Sequence, residues 1–250
     1  MLAEERQRMI LELLEEKGAV SVAELCRQTA ASEATVRRDL NELDRQGRLS
    51  KVHGGAVLPE EEFDGRENDI PTKLMLYAEE KRRIAKYAAA QVKDEDFVFI
   101  DAGSTTLGMA DFLQHSKATF VTNGIECAGR LAQKGLRVYL TGGLLKPVTQ
   151  ALVGAAAPES LRKYHFTKAF IGTNGISIKQ GFTTPDTEEA FIKSTAIERA
   201  YAKYVLADSS KFGKISGVSI CPLEQAHILT DRVPDPIYFE KTMVVEVEQP

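Results

Sequence analysis

The sequence predicts an α/β protein in two parts: a winged helix-turn-helix over residues 1–58 and a larger, mostly parallel α/β domain over residues 73–250. Three observations carry this. Two short, capped helical patterns run directly into a pair of short strands joined at glycines. A proline-bracketed acidic stretch then interrupts every period over residues 59–72. Beyond it, apolar strand-like runs alternate with helical ones, and five of those runs end in small polar residues.

Composition sets the limits. The 250 residues, 43% hydrophobic and 27% charged, describe an ordinary globular protein with enough chain for a core in each part. No run approaches the ~18 consecutive apolar residues of a membrane helix, and Met1-Leu2-Ala3-Glu4-Glu5-Arg6 is too charged for a secretory signal. No membrane association is expected, and the expected location is the cytoplasm. Cys26, Cys127 and Cys221 are odd in number and belong to no C-x-x-C or Cys/His cluster, so neither a disulfide framework nor a metal site is expected. They read as reduced, mostly buried thiols. A net charge of -4 excludes a chain that coats itself in nucleic acid, but it allows a small basic reading head on an acidic body.

From about Glu4 to Lys17, Met9, Ile10, Leu13 and Leu14 fall at helical spacing, with Gly18 as the stop. Ser21-Val22-Ala23-Glu24 is a capping box that opens a second helix ending near Thr29 or Ala30. Ser32 caps a third, in which Val36, Leu40 and Leu43 share one face at i, i+4 and i+7 and should pack inward. Thr35, Arg37, Arg38 and Asn41 are left for other faces, and arginine and asparagine are the types that pair with guanine and adenine edges. An amphipathic helix with a solvated charged face is the alternative for this stretch taken alone. Gly47 ends it. The runs Arg48–His53 and Ala56–Leu58, joined at Gly54-Gly55, then read as a wing whose Arg45, Arg48, Lys51 and His53 would hold phosphates. His53 also suits a structural or backbone-contacting role.

Thr35-Val36-Arg37-Arg38-Asp39-Leu40-Asn41-Glu42-Leu43, followed by Val52-His53-Gly54-Gly55-Ala56, resembles the N-terminal signature of DeoR-type bacterial transcriptional regulators. The resemblance implies operator DNA as a partner, contacted by Ser32, Thr35, Arg37, Arg38 and Asn41 with the wing residues.

After the acidic linker a long helical pattern runs from Lys73 to about Val92. The strand-like runs follow, ending at Asp101-Ala102-Gly103-Ser104-Thr105-Thr106, Thr122-Asn123-Gly124, Gly142-Gly143, Gly172-Thr173-Asn174-Gly175 and Asp208-Ser209-Ser210-Lys211. In a parallel sheet ligands bind at carboxyl strand ends, where glycine lets backbone amides approach and hydroxyls donate, an arrangement suited to phosphate. Asp101–Thr106 is the best cradle, with Asp101 itself assigned to a sugar hydroxyl or to holding the loop. Any one such loop read alone is more simply a capped strand-to-helix turn, and it is the five endings together that point to a site. Gly181–Glu189 is a further polar cluster before a helix; Asp186 and Glu188 join the candidate site, although carboxylates there also complement the helix dipole. Lys211 is placed to pair with an anion. Runs 226–231 and 242–247 read as closing strands, with His227 structural.

This half is similar throughout to the effector domain of DeoR-type regulators, which shares its fold with ribose-5-phosphate isomerase and the coenzyme A transferases. The resemblance implies a sensor of a phosphorylated sugar. Thr183-Thr184-Pro185-Asp186-Thr187-Glu188-Glu189-Ala190 looks most like repressors of fructose operons, implying fructose-1-phosphate, while lactose- and glycerol-related branches share most of these loops. A homodimer or homotetramer is expected, because paired reading heads match a pseudo-palindromic site. The competing readings are a sugar-phosphate isomerase or transferase using Asp101, Glu188 or Glu189 and Lys211 as acid and base groups, and a ligand-free architectural DNA-binding protein.

Overall fold

The computed structural model describes residues 1–58, 62–65, 67–114 and 116–248. Two compact units emerge, Met1–Glu61 and Glu62–Pro250.

In the first unit, helix α1 (Ala3–Lys17) ends at Gly18, whose left-handed φ of 74° lets its N–H reach the carbonyl of Leu14 at 2.8 Å. Strand β1 (Ala19–Ser21), which hydropathy did not announce, leads into α2 (Val22–Thr29), and Ser21 Oγ accepts from the Glu24 N–H. Helix α3 (Glu33–Arg45) starts on Ser32, whose Oγ accepts from the Thr35 N–H at 3.3 Å. Strands β2 (Ser50–Val52) and β3 (Gly55–Val57) form the wing, with β3 central between β1 and β2. Gly55 is required by that central place, since a Cβ there would lie 2.2 Å from the Val20 carbonyl oxygen. Ile10, Leu14, Leu25, Val36, Leu40 and Leu43 are fully buried, so the inward stripe of α3 closes the core of the unit.

The second unit is built on a seven-stranded, wholly parallel sheet among the described residues. In spatial order its strands are Val244–Glu246, His227–Thr230, Ala200–Leu206, Phe166–Gly172, Phe97–Ile100, Thr119–Thr122 and Arg137–Leu140. Successive residues alternate between two cores, one on each face: Phe99, Val121, Ile171 and Val205 on one side, Val98, Phe120, Phe170 and Leu206 on the other. Strand order reverses beside Phe97–Ile100. Later strands continue to one side of it through 119–122 and to the other through 166–172, which opens a crevice at their carboxyl ends.

Three expectations change. The long helix of 73–92 is two helices, Ile70–Met75 and Ala78–Ala90, parted by Tyr77 at φ 53°. Leu74, Met75 and Leu76 before the break are exposed, so the buried stripe of Ile84, Ala85 and Ala88 belongs to the second helix alone. The linker does not extend to residue 72, because Glu62–Phe63 is a strand paired in parallel with Lys214–Ile215 and Asp69 caps the helix at Ile70. Residues 59–61 and 66 of that stretch lie outside the described residues. The polar run at 181–184 is a strand between Gly175–Ser177 and Val218–Cys221, where its threonines are buried.

Candidate functional site

On α3, Arg37, Arg38 and Asn41 are exposed and Thr35 is half-buried. Arg37 pairs with Glu33 at 2.6 Å and Arg45 with Glu42 at 2.5 Å, whereas Arg38 makes no ion pair among the described residues. Lys51 Nζ donates to Asn41 Oδ1 at 2.6 Å, tying the wing to the middle of the helix. His53 is exposed in the turn beside Gly54, and Arg48 is half-buried at the foot of the wing. Asp39, within the same motif, has another role: it is buried, and Arg6 grips both its oxygens at 2.5 and 3.1 Å, fixing α1 to α3. Asp39→Ala is therefore expected to cost the reading head about 1.5–3 kcal/mol, measured as a lowered unfolding midpoint, while Glu33→Ala leaves it unchanged.

At the crevice of the sheet lies an open, polar cleft, with about 550 Å³ of space when its part open to solvent is counted. Gly103, Ser104 and Thr105 come from the first loop, Gly172, Thr173 and Asn174 from the loop across the switch point, and Lys211 from a third. The hydroxyls of Ser104 and Thr105 have no partner among the described residues and are available to a ligand. Four lysines face the cleft: Lys73, Lys81, Lys193 and Lys211. Burial pushes the Lys73 ammonium down to about 8, with Lys193 and Lys211 pushing the same way and Glu189 opposing. Burial also lowers Lys81, against Asp208. Burial alone would raise Glu189, but Lys193, the Thr149 hydroxyl and Lys146 outweigh it and hold the carboxyl below its usual range. The cleft thus carries four lysines beside the carboxylate of Glu189, with Asp101 holding Lys193.

Other sequence-named residues brace this cleft instead of lining it. Asp101 Oδ2 accepts from the Gly172 N–H at 3.0 Å and pairs with Lys193, so Asp101 ties the two loops together. Thr106 is fully buried; its Oγ1 accepts from Gly103 N–H at 3.0 Å and donates to the Asp101 carbonyl at 2.7 Å. Asn123 Oδ1 accepts from Ala102 N–H at 3.0 Å, Thr122 Oγ1 accepts from Gly124 N–H, and Gly124 abuts Ala102. Gly142 and Gly143 lie outside the cleft wall. Gly143, at φ 132°, lets the chain pass Val153, whose carbonyl a Cβ would meet at 2.3 Å. Gly175 is packed against Lys214. Asp186 caps the helix Thr187–Glu198 and pairs with Lys146 at 2.9 Å, while Glu188 is exposed outside the cleft.

Lys73, Lys81, Lys193 and Thr149 also line the cleft, and motif reading does not select them; Glu189, named from the sequence only as an acid-base group of the enzyme reading, and Thr173, inside the fourth strand ending, join them. Lysines at helical spacing read as solvated; only the fold turns these inward. Burial pushes the thiols of Cys127 and Cys221 up to about 12, which makes them packing groups and not nucleophiles. The described residues contain no cluster of three or more metal-ligating side chains and no helix long and apolar enough to cross a membrane.

A helix with exposed Arg37, Arg38 and Asn41 carried by a winged head, on a chain whose second unit holds a polar cleft at a parallel-sheet switch point, defines a ligand-responsive DNA-binding regulator. The chain belongs to the DeoR family: the DeoR-like helix-turn-helix domain matches residues 6–62 and the DeoR C terminal sensor domain matches residues 77–232. The family is one of regulators and not of enzymes. The chain is 41% identical to a Bacillus subtilis protein called an uncharacterized HTH-type transcriptional regulator FruR, covering 99% of this chain and 100% of that one. It is 37% identical to the HTH-type transcriptional regulator GlpR of Haloferax volcanii, over 92% of this chain and 91% of the other. Identity to a lactose phosphotransferase system repressor of Staphylococcus epidermidis is 36%, over 89% of each chain. Among solved structures, ribose 5-phosphate isomerase A from Methanocaldococcus jannaschii aligns with a TM-score of 0.42 at 17% identity, covering 54% of this chain and 55% of that one.

Proposed function

We propose that this protein is a cytoplasmic repressor of a sugar-utilisation operon, and that a phosphorylated sugar bound in the second unit changes its operator affinity. The observation that carries this is the cleft, where four lysines, two unpartnered hydroxyls and the switch-point loops meet acceptors suited to sugar hydroxyls at Glu189 and Asn174. Fructose-1-phosphate is the proposed effector, supported by the FruR name of a full-length relative. By linkage the ligand must prefer one state of the protein, so it alters DNA binding only as far as its affinity differs between states. The acting form is a homodimer or homotetramer on a pseudo-palindromic operator.

The test is a gel shift on DNA upstream of the protein's own operon, with fructose-1-phosphate and other phosphosugars added in turn. Fructose-1-phosphate is expected to shift the binding curve at the lowest concentration; a curve unmoved by every phosphosugar would overturn the reading. For the head, Arg38→Ala is expected to cost on the order of 1–3 kcal/mol of operator affinity with a much smaller loss on random DNA. Equal losses on both would make Arg38 a phosphate contact instead of a base reader.

A further inference from the structure

The segment that leaves the reading head is fastened to the cleft at both of its ends. At its start, Glu62–Phe63 pairs with Lys214–Ile215, only three residues past Lys211; Asp64 N–H donates to the Ile215 carbonyl at 2.8 Å and the Ser216 hydroxyl to the Asp64 carbonyl at 2.8 Å. At its finish, the helix Ile70–Met75 puts Ile70 and Lys73 into the cleft wall, and Lys81 Nζ donates to the Lys73 carbonyl. Between these anchors, Glu67 reaches the Lys73 ammonium. Only one of its oxygens is used. The other, Oε2, is buried with no hydrogen-bond partner among the described residues, which is a costly way to hold a carboxylate.

We propose that Glu67 is an internal competitor for the effector: it holds Lys73 while no anion is bound, and a phosphate entering the cleft takes Lys73 from it and loosens the segment leading to the reading head. This rests on the cleft being the effector site. Lys73 feels Lys193 and Lys211 as well as the carboxylates Glu189 and Asp101, and Asp101 already holds Lys193; an anion in the cleft still draws on Lys73 and Lys211 together, whereas Glu67 is served by Lys73 alone. A phosphomonoester also carries a charge of about -1.5 to -2 at neutral pH, against -1 for the carboxylate. The exchange therefore favours the ligand, and it relieves the half-satisfied Glu67.

The experiment is calorimetric titration of the full-length protein with fructose-1-phosphate and, separately, inorganic phosphate. Glu67→Gln keeps the shape and removes the competitor, so fructose-1-phosphate is expected to bind about tenfold tighter, the weight of one charge-assisted hydrogen bond. Lys73→Gln is expected to bind it about tenfold more weakly, and adding Glu67→Gln to Lys73→Gln should then bring no tightening. Inorganic phosphate should show the same order, since the competition is for an anion. Hydrogen exchange of the wild type should show faster exchange at residues 62–65 and 67–69 on saturation with fructose-1-phosphate. Affinity of Glu67→Gln within twofold of wild type, equal tightening in the Lys73→Gln background, or unchanged exchange overturns the proposal. If the wild type binds neither probe, the effector reading itself falls and takes this proposal with it. If the wild type binds, Lys211→Gln abolishes binding and Glu67→Gln is neutral, only the competitor role falls.

Discussion

Replacing Lys193 with methionine is expected to destabilise the second unit by about 3–5 kcal/mol, the cost of leaving one member of a buried ion pair uncompensated. Lys193 and Asp101 side chains are 5% and 3% exposed, joining the helix Thr187–Glu198 to the end of the strand Phe97–Ile100. Without Lys193, Asp101 keeps one donor on that oxygen, the Gly172 N–H. A loss of that size takes a large share of the ~5–15 kcal/mol that holds a domain folded. The chain has no tryptophan, so the measurement is calorimetric unfolding or urea titration followed by far-UV circular dichroism. Adding Asp101→Asn to Lys193→Met should restore a large part of the loss, because the amide oxygen still accepts from Gly172 and no charge is left buried. A Lys193→Met loss under about 1 kcal/mol would show the pair to be screened like a surface bridge.

That pair also marks the limit of what the sequence makes legible. Asp101 stands out because it ends an apolar run before Gly-Ser-Thr-Thr, and strand ends with that chemistry are readable one segment at a time. Its partner is 92 residues away on a helix where lysine looks like any solvated lysine. The same holds for Asp39, which sits inside a motif that points to DNA yet serves Arg6, 33 residues earlier. The alternating strands, the capped α3 and the inward stripe of Val36, Leu40 and Leu43 follow from local periods and caps, so they read directly. Which polar strand ends meet depends on strand order, and that is not written locally. The first and fourth endings and Lys211 converge because the sheet reverses at Phe97–Ile100. The second ending braces the first through Asn123, and the third, at Gly142-Gly143, follows the edge strand away from the switch point.

Strand order also separates two glycines that the sequence presents as one cradle, and Gly172→Ala against Gly175→Ala should expose the difference. At Gly175 a Cβ would lie 2.4 Å from the Lys214 carbonyl oxygen and 2.6 Å from Thr183 Oγ1, which itself accepts from the Ser216 N–H. Neither the main chain nor that engaged hydroxyl can withdraw cheaply, so Gly175→Ala is expected to cost about 3 kcal/mol, the upper end of ordinary overpacking. The strand carrying Lys214 would be pushed outward, and Lys211 with it. At Gly172 the nearest atoms to a new Cβ are Asp101 Oδ2 at 3.5 Å and Gly103 Cα at 3.8 Å, which are ordinary contacts, and the residue faces the cleft. Gly172→Ala should therefore unfold within about 1 kcal/mol of the parent while a methyl group stands where a ligand approaches the backbone. Fructose-1-phosphate titration and thermal unfolding of the two variants give opposite orders: Gly175→Ala loses stability first, and Gly172→Ala loses affinity at unchanged stability. A Gly175→Ala protein as stable as the parent but unresponsive to the phosphosugar would place Gly175 in the cradle after all.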